Sequence, residues 1–168
     1  MDTLYILRHG IAAPLPVGGR SKDADRPLTP EGRQKVRRVA RALAKLDVEI
    51  DLIVSSPLVR ARQTAELVAD ILRLRNKVQL CEHLAPEGNP RDLIAYLTRL
   101  DPMPDSVLLV GHEPYLSGLI SLLVCGSTRL ALNLKKAGLC KLTLTGLKAG
   151  RCATLEWLLT PKQMSLMR

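Results

Sequence analysis

Three short stretches of this chain bring together residue types that can do chemistry on an anion. Arg8-His9-Gly10 ends an apolar run from Leu4 to Leu7, and Gly111-His112-Glu113-Pro114 ends another, from Ser106 to Val110. Between them, Ser55-Ser56-Pro57 ends the run from Ile50 to Val54 and is soon followed by Arg60. An imidazole can be neutral and nucleophilic near neutral pH. A guanidinium forks two donors onto a phosphate. Glycine lets the backbone turn sharply or approach an anion closely. Each stretch alone also fits a polar turn at a strand end, and Arg60 alone fits a surface arginine. Two histidines and two arginines at equivalent edges are harder to dismiss.

The elements that must position these residues can be read from hydrophobic period and turn chemistry. Short apolar runs bounded by turn formers read as buried strands, and open parallel sheets bind ligands just past the carboxyl ends of their strands. Residues 11–28 hold Pro14, Pro16, Gly18, Gly19 and Pro27 with Arg20, Lys22 and Arg26. This loop is either a wall of a pocket or a plain surface connection. Leu28-Thr29-Pro30-Glu31-Gly32 opens a helix, with Thr29 as N-cap and Pro30 at the first position. Val36, Val39, Ala40, Leu43 and Leu46 then recur at helical spacing, while Lys35, Arg37, Arg38, Arg41 and Lys45 make the other face basic. That face reads as solvated, with an acidic partner as the alternative.

After the second strand, Ser56 is expected to cap and Pro57 to open a helix reaching Leu74, with Ala61, Ala65, Val68 and Leu72 facing inward. Arg60 then lies in the first turn, near a helix N-terminus that attracts anions. Thr64 follows one turn on along the same side, and Arg62 points elsewhere. Val78 to Cys81 reads as a third strand. The loop at 82–90 carries Glu82, His83 and Glu87, and Asn89 caps a helix from Arg91 to Leu100. Residues 101–105 form a Pro-rich turn, and Tyr115 to Cys125 reads as a helix. Leu139–Thr145 and Cys152–Leu158 flank the glycines at 146 and 150 as a hairpin, adding antiparallel edge strands to a mostly parallel sheet.

Composition bounds the partners. The 168 residues are 46% hydrophobic and 24% charged, ordinary for one globular domain. A formal charge of +9 favours an acidic or phosphorylated partner. With no Phe and 2% aromatic residues the chain offers few rings on which to stack bases, so no nucleic-acid role is expected. Cys81, Cys125, Cys140 and Cys152 show no CxxC spacing and read as buried free thiols of a reducing compartment. Neither a leader peptide nor a membrane-spanning run is evident, so a cytoplasmic location is expected.

Other chemistries fit poorly. His9, His83 and His112 lack metal-ligand spacing, and arginines beside two of them would repel a cation, so neither a metal nor a cofactor is expected. There is no GxSxG elbow and no glycine-rich run ending in Gly-Lys-Ser or Gly-Lys-Thr.

Taken together, Arg8-His9-Gly10, the run Ser55-Ser56-Pro57-Leu58-Val59-Arg60-Ala61-Arg62-Gln63-Thr64 and Gly111-His112-Glu113-Pro114 resemble the histidine phosphatase superfamily, the phosphoglycerate mutase-like proteins. The short length, Arg26-Pro27-Leu28-Thr29 and Leu84-Ala85-Pro86 followed by Gly88 are most similar to the SixA-type phosphohistidine phosphatases. The resemblance implies a single domain over residues 1–168 with a three-layer α/β/α fold. It implies His9 as nucleophile, and Arg8, Arg60 and His112 around the phosphate. Family members acting on esters use a loop carboxylate as general acid, for which Glu87 is the first candidate and Glu82 the second; at Glu87 the chain departs from the SixA pattern. Little length is spare for segments closing over a small metabolite. The expected activity is hydrolysis of phosphohistidine on a protein, through a phosphohistidine intermediate on His9, by a monomer. The alternatives are a phosphatase of small esters using Glu87, and a non-catalytic phosphate-binding scaffold.

Overall fold

The computed structural model describes residues 1–15, 22–46 and 48–167. Six strands form one sheet: β1 (Thr3–Arg8), β2 (Leu52–Ser55), β3 (Val78–Leu80), β4 (Ser106–Gly111), β5 (Leu139–Leu144) and β6 (Ala153–Leu159). Their spatial order is β3-β2-β4-β1-β5-β6. The first four run parallel, while β5 and β6 are antiparallel and form the edge hairpin. β1 and β4 are neighbours along their whole length, from Thr3 opposite Ser106 to Arg8 opposite Gly111. Leu4, Ile6, Leu7, Val107, Leu108, Leu109 and Val110 are all fully buried. A strand covered on both faces reads as a continuous apolar run, which is why these two stood out in the sequence.

Helices α1 (Pro30–Lys45), α2 (Val59–Leu72) and the short α5 (Pro161–Ser165) cover one face of the sheet, where Val36, Val39, Leu43, Ala61, Ala65, Val68 and Met164 pack on Tyr5, Leu7, Ile53 and Leu108. Helices α3 (Pro90–Leu97) and α4 (Tyr115–Cys125) cover the other, where Leu93, Leu97, Leu116, Leu119, Ile120 and Leu123 meet Leu4, Ile6, Val54 and Leu109. Each such leucine, fully withdrawn from water, contributes about 2 kcal/mol. The result is the three-layer α/β/α sandwich expected from the sequence. The chain leaves β1 toward one face and β4 toward the other, which leaves a crevice outside their carboxyl ends. Among the described residues no helix is long and apolar enough to cross a membrane.

Local chemistry explains the boundaries. Thr29 caps α1 by accepting from the Gly32 amide at 3.0 Å, with Pro30 in the first turn. Asn89 caps α3 by accepting from the Arg91 amide at 2.9 Å, so that helix begins at Pro90, and it ends at Leu97 rather than Leu100. The second helix differs more. It begins at Val59 rather than at Pro57, its N-cap is Leu58 without a side-chain bond, and it ends at Leu72. Ser56 accepts from the Leu58 amide at 3.3 Å, holding the turn ahead of the helix rather than its first residue. Leu46, read as part of the apolar stripe of α1, is 41% exposed because it lies past the last helical turn. Cys81, Cys140 and Cys152 are buried free thiols, but Cys125, at the end of α4, is exposed. Residues 16–21 of the loop read as either a pocket wall or a surface connection, with Pro16, Gly18, Gly19 and Arg20, lie outside the described residues.

Candidate active site

The register of three parallel strands sets the site. Arg8 lies opposite Gly111, and Ser55 lies opposite Val110, so the three chemistry-bearing stretches leave adjacent strand ends side by side. Backbone bonds lock them together. The His9 amide donates to the Gly111 carbonyl at 3.0 Å and the Ser56 amide to the Val110 carbonyl at 2.9 Å. The Ala137 amide donates to the carbonyls of Arg8 at 3.0 Å and His9 at 3.1 Å, fixing the turn from above. The Gly10 amide donates to Thr64 Oγ1 at 3.1 Å, and that hydroxyl donates to the Arg60 carbonyl at 2.7 Å. Thr64 therefore ties the β1 turn to the first turn of α2. Gly10 is needed for closeness: a Cβ there would sit 2.8 Å from Val36 Cγ2 and 3.1 Å from Leu28 Cδ2.

On this frame the side chains of His9, Arg60 and His112 converge, with 7%, 4% and 2% of their surfaces exposed. The two imidazole centroids lie 5.0 Å apart. His9 Nδ1 is 2.7 Å from the Gly10 carbonyl oxygen, and Arg60 Nε lies 3.3 Å from His9 Nε2. A carbonyl only accepts and a guanidinium only donates. The neutral ring must therefore carry its proton on Nδ1 and present a lone pair at Nε2. His112 Nε2 is 2.8 Å from Ser56 Oγ, and its Nδ1 is buried without a partner among the described residues. Arg8 Nη1 donates to the Leu134 carbonyl at 3.0 Å, while its Nε is buried with no partner among the described residues.

Burial is the main force on both rings. It lowers the His9 pKa from 6.5 to about 3, with the charges of His112, Arg60 and Arg8 acting in the same sense and the Gly10 carbonyl opposing. His112 is lowered to about 4, again chiefly by burial and then by Arg60, with Asp23 opposing. Both rings are neutral at pH 7.

One participant was not found from the sequence. Asp23, in a 3-10 turn at Asp23–Asp25, accepts from Arg60 twice: Nη1 donates to its carbonyl at 2.8 Å and Nη2 to its carboxylate at 3.0 Å. It also pairs with Arg26 at 2.8 Å. Partial burial acts to raise its carboxyl pKa, but the two guanidinium groups outweigh that and hold it low. The available signal was compositional, since Asp23 and Asp25 are the only carboxylates between residues 11 and 28. Likewise Ser56, read as a helix cap, also touches His112.

Other candidates are exposed or bonded elsewhere. Glu82, His83 and Glu87 are exposed, and Glu87 makes no hydrogen bond or ion pair among the described residues. Glu113 is engaged in α4, accepting from the Ser117 amide at 2.9 Å and the Ser117 hydroxyl at 2.7 Å. Arg62 faces solvent beside Glu66, 3.6 Å away. No group of three or more His, Cys, Asp or Glu side chains that could hold a metal occurs among the described residues.

The sequence profile of the histidine phosphatase superfamily (branch 1) matches residues 4–85. The phosphohistidine phosphatase SixA of Escherichia coli (strain K12) is 36% identical over 126 residues, covering 74% of this chain and 76% of that protein. The chain belongs to the histidine phosphatase superfamily. It thereby falls among phosphatases. A solved histidine phosphatase SixA complexed with tungstate superposes with a TM-score of 0.80 at 30% identity, over 95% of this chain and 97% of that one. An uncharacterized protein of Picosynechococcus sp. is 41% identical over 148 residues, 88% of this chain and 85% of its own length.

Proposed function

We propose that this histidine phosphatase hydrolyses phosphohistidine on a protein, through a covalent intermediate on His9. The observation that carries the reading is the fixed tautomer of His9, whose Nε2 lone pair lies beside Arg60 in a buried, cation-lined corner. As Arg60 Nε–H gives up its hydrogen bond to Nε2 in favour of a phosphoryl oxygen, the freed Nε2 lone pair forms a bond to phosphorus and the bond from phosphorus to the substrate imidazole nitrogen breaks. Arg60 and Arg8 offset charge on the equatorial oxygens, where most of the catalytic effect of phosphoryl transfer is won. The Ser56 hydroxyl donates to His112 Nε2, which leaves Nδ1–H of that ring as a donor to a phosphoryl oxygen. Water then attacks the phosphorus of phospho-His9, releasing inorganic phosphate and restoring the neutral ring. Tungstate, held by the related SixA, is a tetrahedral oxyanion of the same shape class.

The leaving group discriminates substrates. A phosphorylated imidazole protonates on its free ring nitrogen and departs as neutral imidazole. An alkoxide needs a carboxylic acid beside it. Glu87 is exposed without a partner, and Asp23 is held ionised by Arg60 and Arg26. Asp23, ionised, has no proton to donate, and departure of a protonated imidazole needs no carboxylic acid, which favours the phosphohistidine reading over the ester one. Turnover should fall by at least about 10³-fold in His9→Ala, as for loss of a nucleophile. Acid-labile, alkali-stable radiolabel should appear on the wild type and not on that variant. A His9→Ala enzyme with unchanged turnover would overturn the mechanism, and faster hydrolysis of sugar phosphates than of a phosphohistidine peptide would overturn the substrate.

A further inference from the structure

Sharing Arg8 with the site, but lined by neither imidazole, is a cleft of about 740 Å3 whose wall holds Arg8, Lys35, Arg38, Lys135, Lys136 and Lys162 and no carboxylate. The six cations come from four separate segments: the end of β1, α1, the turn before β5, and α5. The solvated face of an amphipathic helix accounts for Lys35 and Arg38 only. Lys35 is paired with Glu31 at 2.8 Å; none of the other five is in an ion pair among the described residues. Converging cations without counter-charges repel one another and raise the positive potential of a concavity. That arrangement opposes compactness unless something anionic is recognised there.

Arg8 connects this cleft to the phosphate-handling corner. It precedes His9, and its charge acts on both His9 and His112. We propose that the cleft docks an acidic segment of the phosphorylated protein substrate, so that carboxylates sit among the lysines while the phosphoryl group reaches His9. This deepens the phosphoprotein reading above and rests on it. Four of the six cations are lysines, point charges on flexible stems that suit carboxylates in several arrangements rather than one planar fork. Ile11, Pro161 and the aliphatic stems supply apolar wall, which suits a peptide better than a bare hydrated phosphate. The volume is that of a typical ligand site.

The test uses two synthetic phosphohistidine peptides with a common core, one tailed with four aspartates and one with four serines. It also uses a fluorescent tetra-aspartate peptide without phosphoryl group, and inorganic tripolyphosphate. The wild type should favour the acidic substrate by about tenfold in kcat/KM at low salt, mostly through KM, and lose that preference as salt screens the charges. The triple variant Lys135→Glu, Lys136→Glu, Lys162→Glu changes exposed side chains only. It should lose the preference while hydrolysing the serine-tailed peptide within twofold of wild type. Equal kcat/KM for the two peptides, or a preference that survives in the variant, would overturn the proposal. Tripolyphosphate bound by wild type but not by the variant, with no binding of the aspartate peptide, would overturn it in favour of a small polyanion. If neither phosphopeptide is hydrolysed but the aspartate peptide binds the wild type and not the variant, the docking site stands and the activity assignment falls.

Discussion

His9 is defined by two neighbours that allow no choice: a carbonyl that can only accept and a guanidinium that can only donate. With the pKa of His9 lowered to about 3 and that of His112 to about 4, the ring C–H proton resonances of both should hold their neutral positions from pH 8 down to about 5. An inflection of either near 6.5 in an NMR titration would contradict this. Asp23 places a negative charge 3.0 Å from Arg60 and occupies donors on both of its Nη atoms. Asp23→Asn should therefore tighten binding of tungstate or inorganic phosphate by about three- to tenfold, measured calorimetrically. Arg8, His9 and His112 were legible as positions because their types are unexpected at the ends of buried strands, and Arg60 because it falls in the first turn of the helix that follows one. Asp23 was not, because an irregular loop has no period from which to infer that residue 23 reaches residue 60. Ser56 was half legible: its turn-forming chemistry shows in the sequence, but neither its place ahead of the helix cap nor its partner 56 residues away in the chain does.

At the scale of elements, the site is held by contacts between the β1 turn and the helices beside it. Thr64→Val would leave the Gly10 amide buried and unpaired, at a cost of about 1–3 kcal/mol. Chemical denaturation should show that loss, and turnover should fall as the β1 turn loosens. Gly32, in the first turn of α1, is pressed onto Ile11, and a Cβ there would meet the Ile11 carbonyl oxygen at 2.2 Å. Backbone cannot swing aside as a side chain can, so Gly32→Ala should destabilise by about 2 kcal/mol or more, read as a lowered Tm. The six strands and helices α1 to α4 were legible because each is an apolar or periodic run bounded by turn-forming residues. The Thr160 capping box that opens α5 passed unnoticed: five residues are too few to show a period, although Thr160 accepts from the Gln163 amide at 3.2 Å.

At the scale of the molecule, the buried neutral imidazoles tie stability to pH. Their folded pKa values lie below the unfolded value near 6.5, so the unfolded chain takes up protons first as pH falls. The stability they leave intact at pH 7 is therefore lost progressively from about 6.5 downward. Asp23, with its carboxyl pKa lowered, adds a loss in the same direction below the ordinary carboxylate range. Tm should drop by at least about 5 °C between pH 7 and pH 5, and a His9→Gln, His112→Gln variant should show a flatter profile in the same scans. The separation of the two rings has another origin. Their centroids lie 5.0 Å apart, close to the spacing of about 4.8 Å between neighbouring strands, because each ring follows directly on one of two adjoining strands. The distance between the two imidazoles is thus a repeat of the sheet lattice itself. Surface loops of this scaffold can be rewritten in its descendants while that inherited spacing stays as it is.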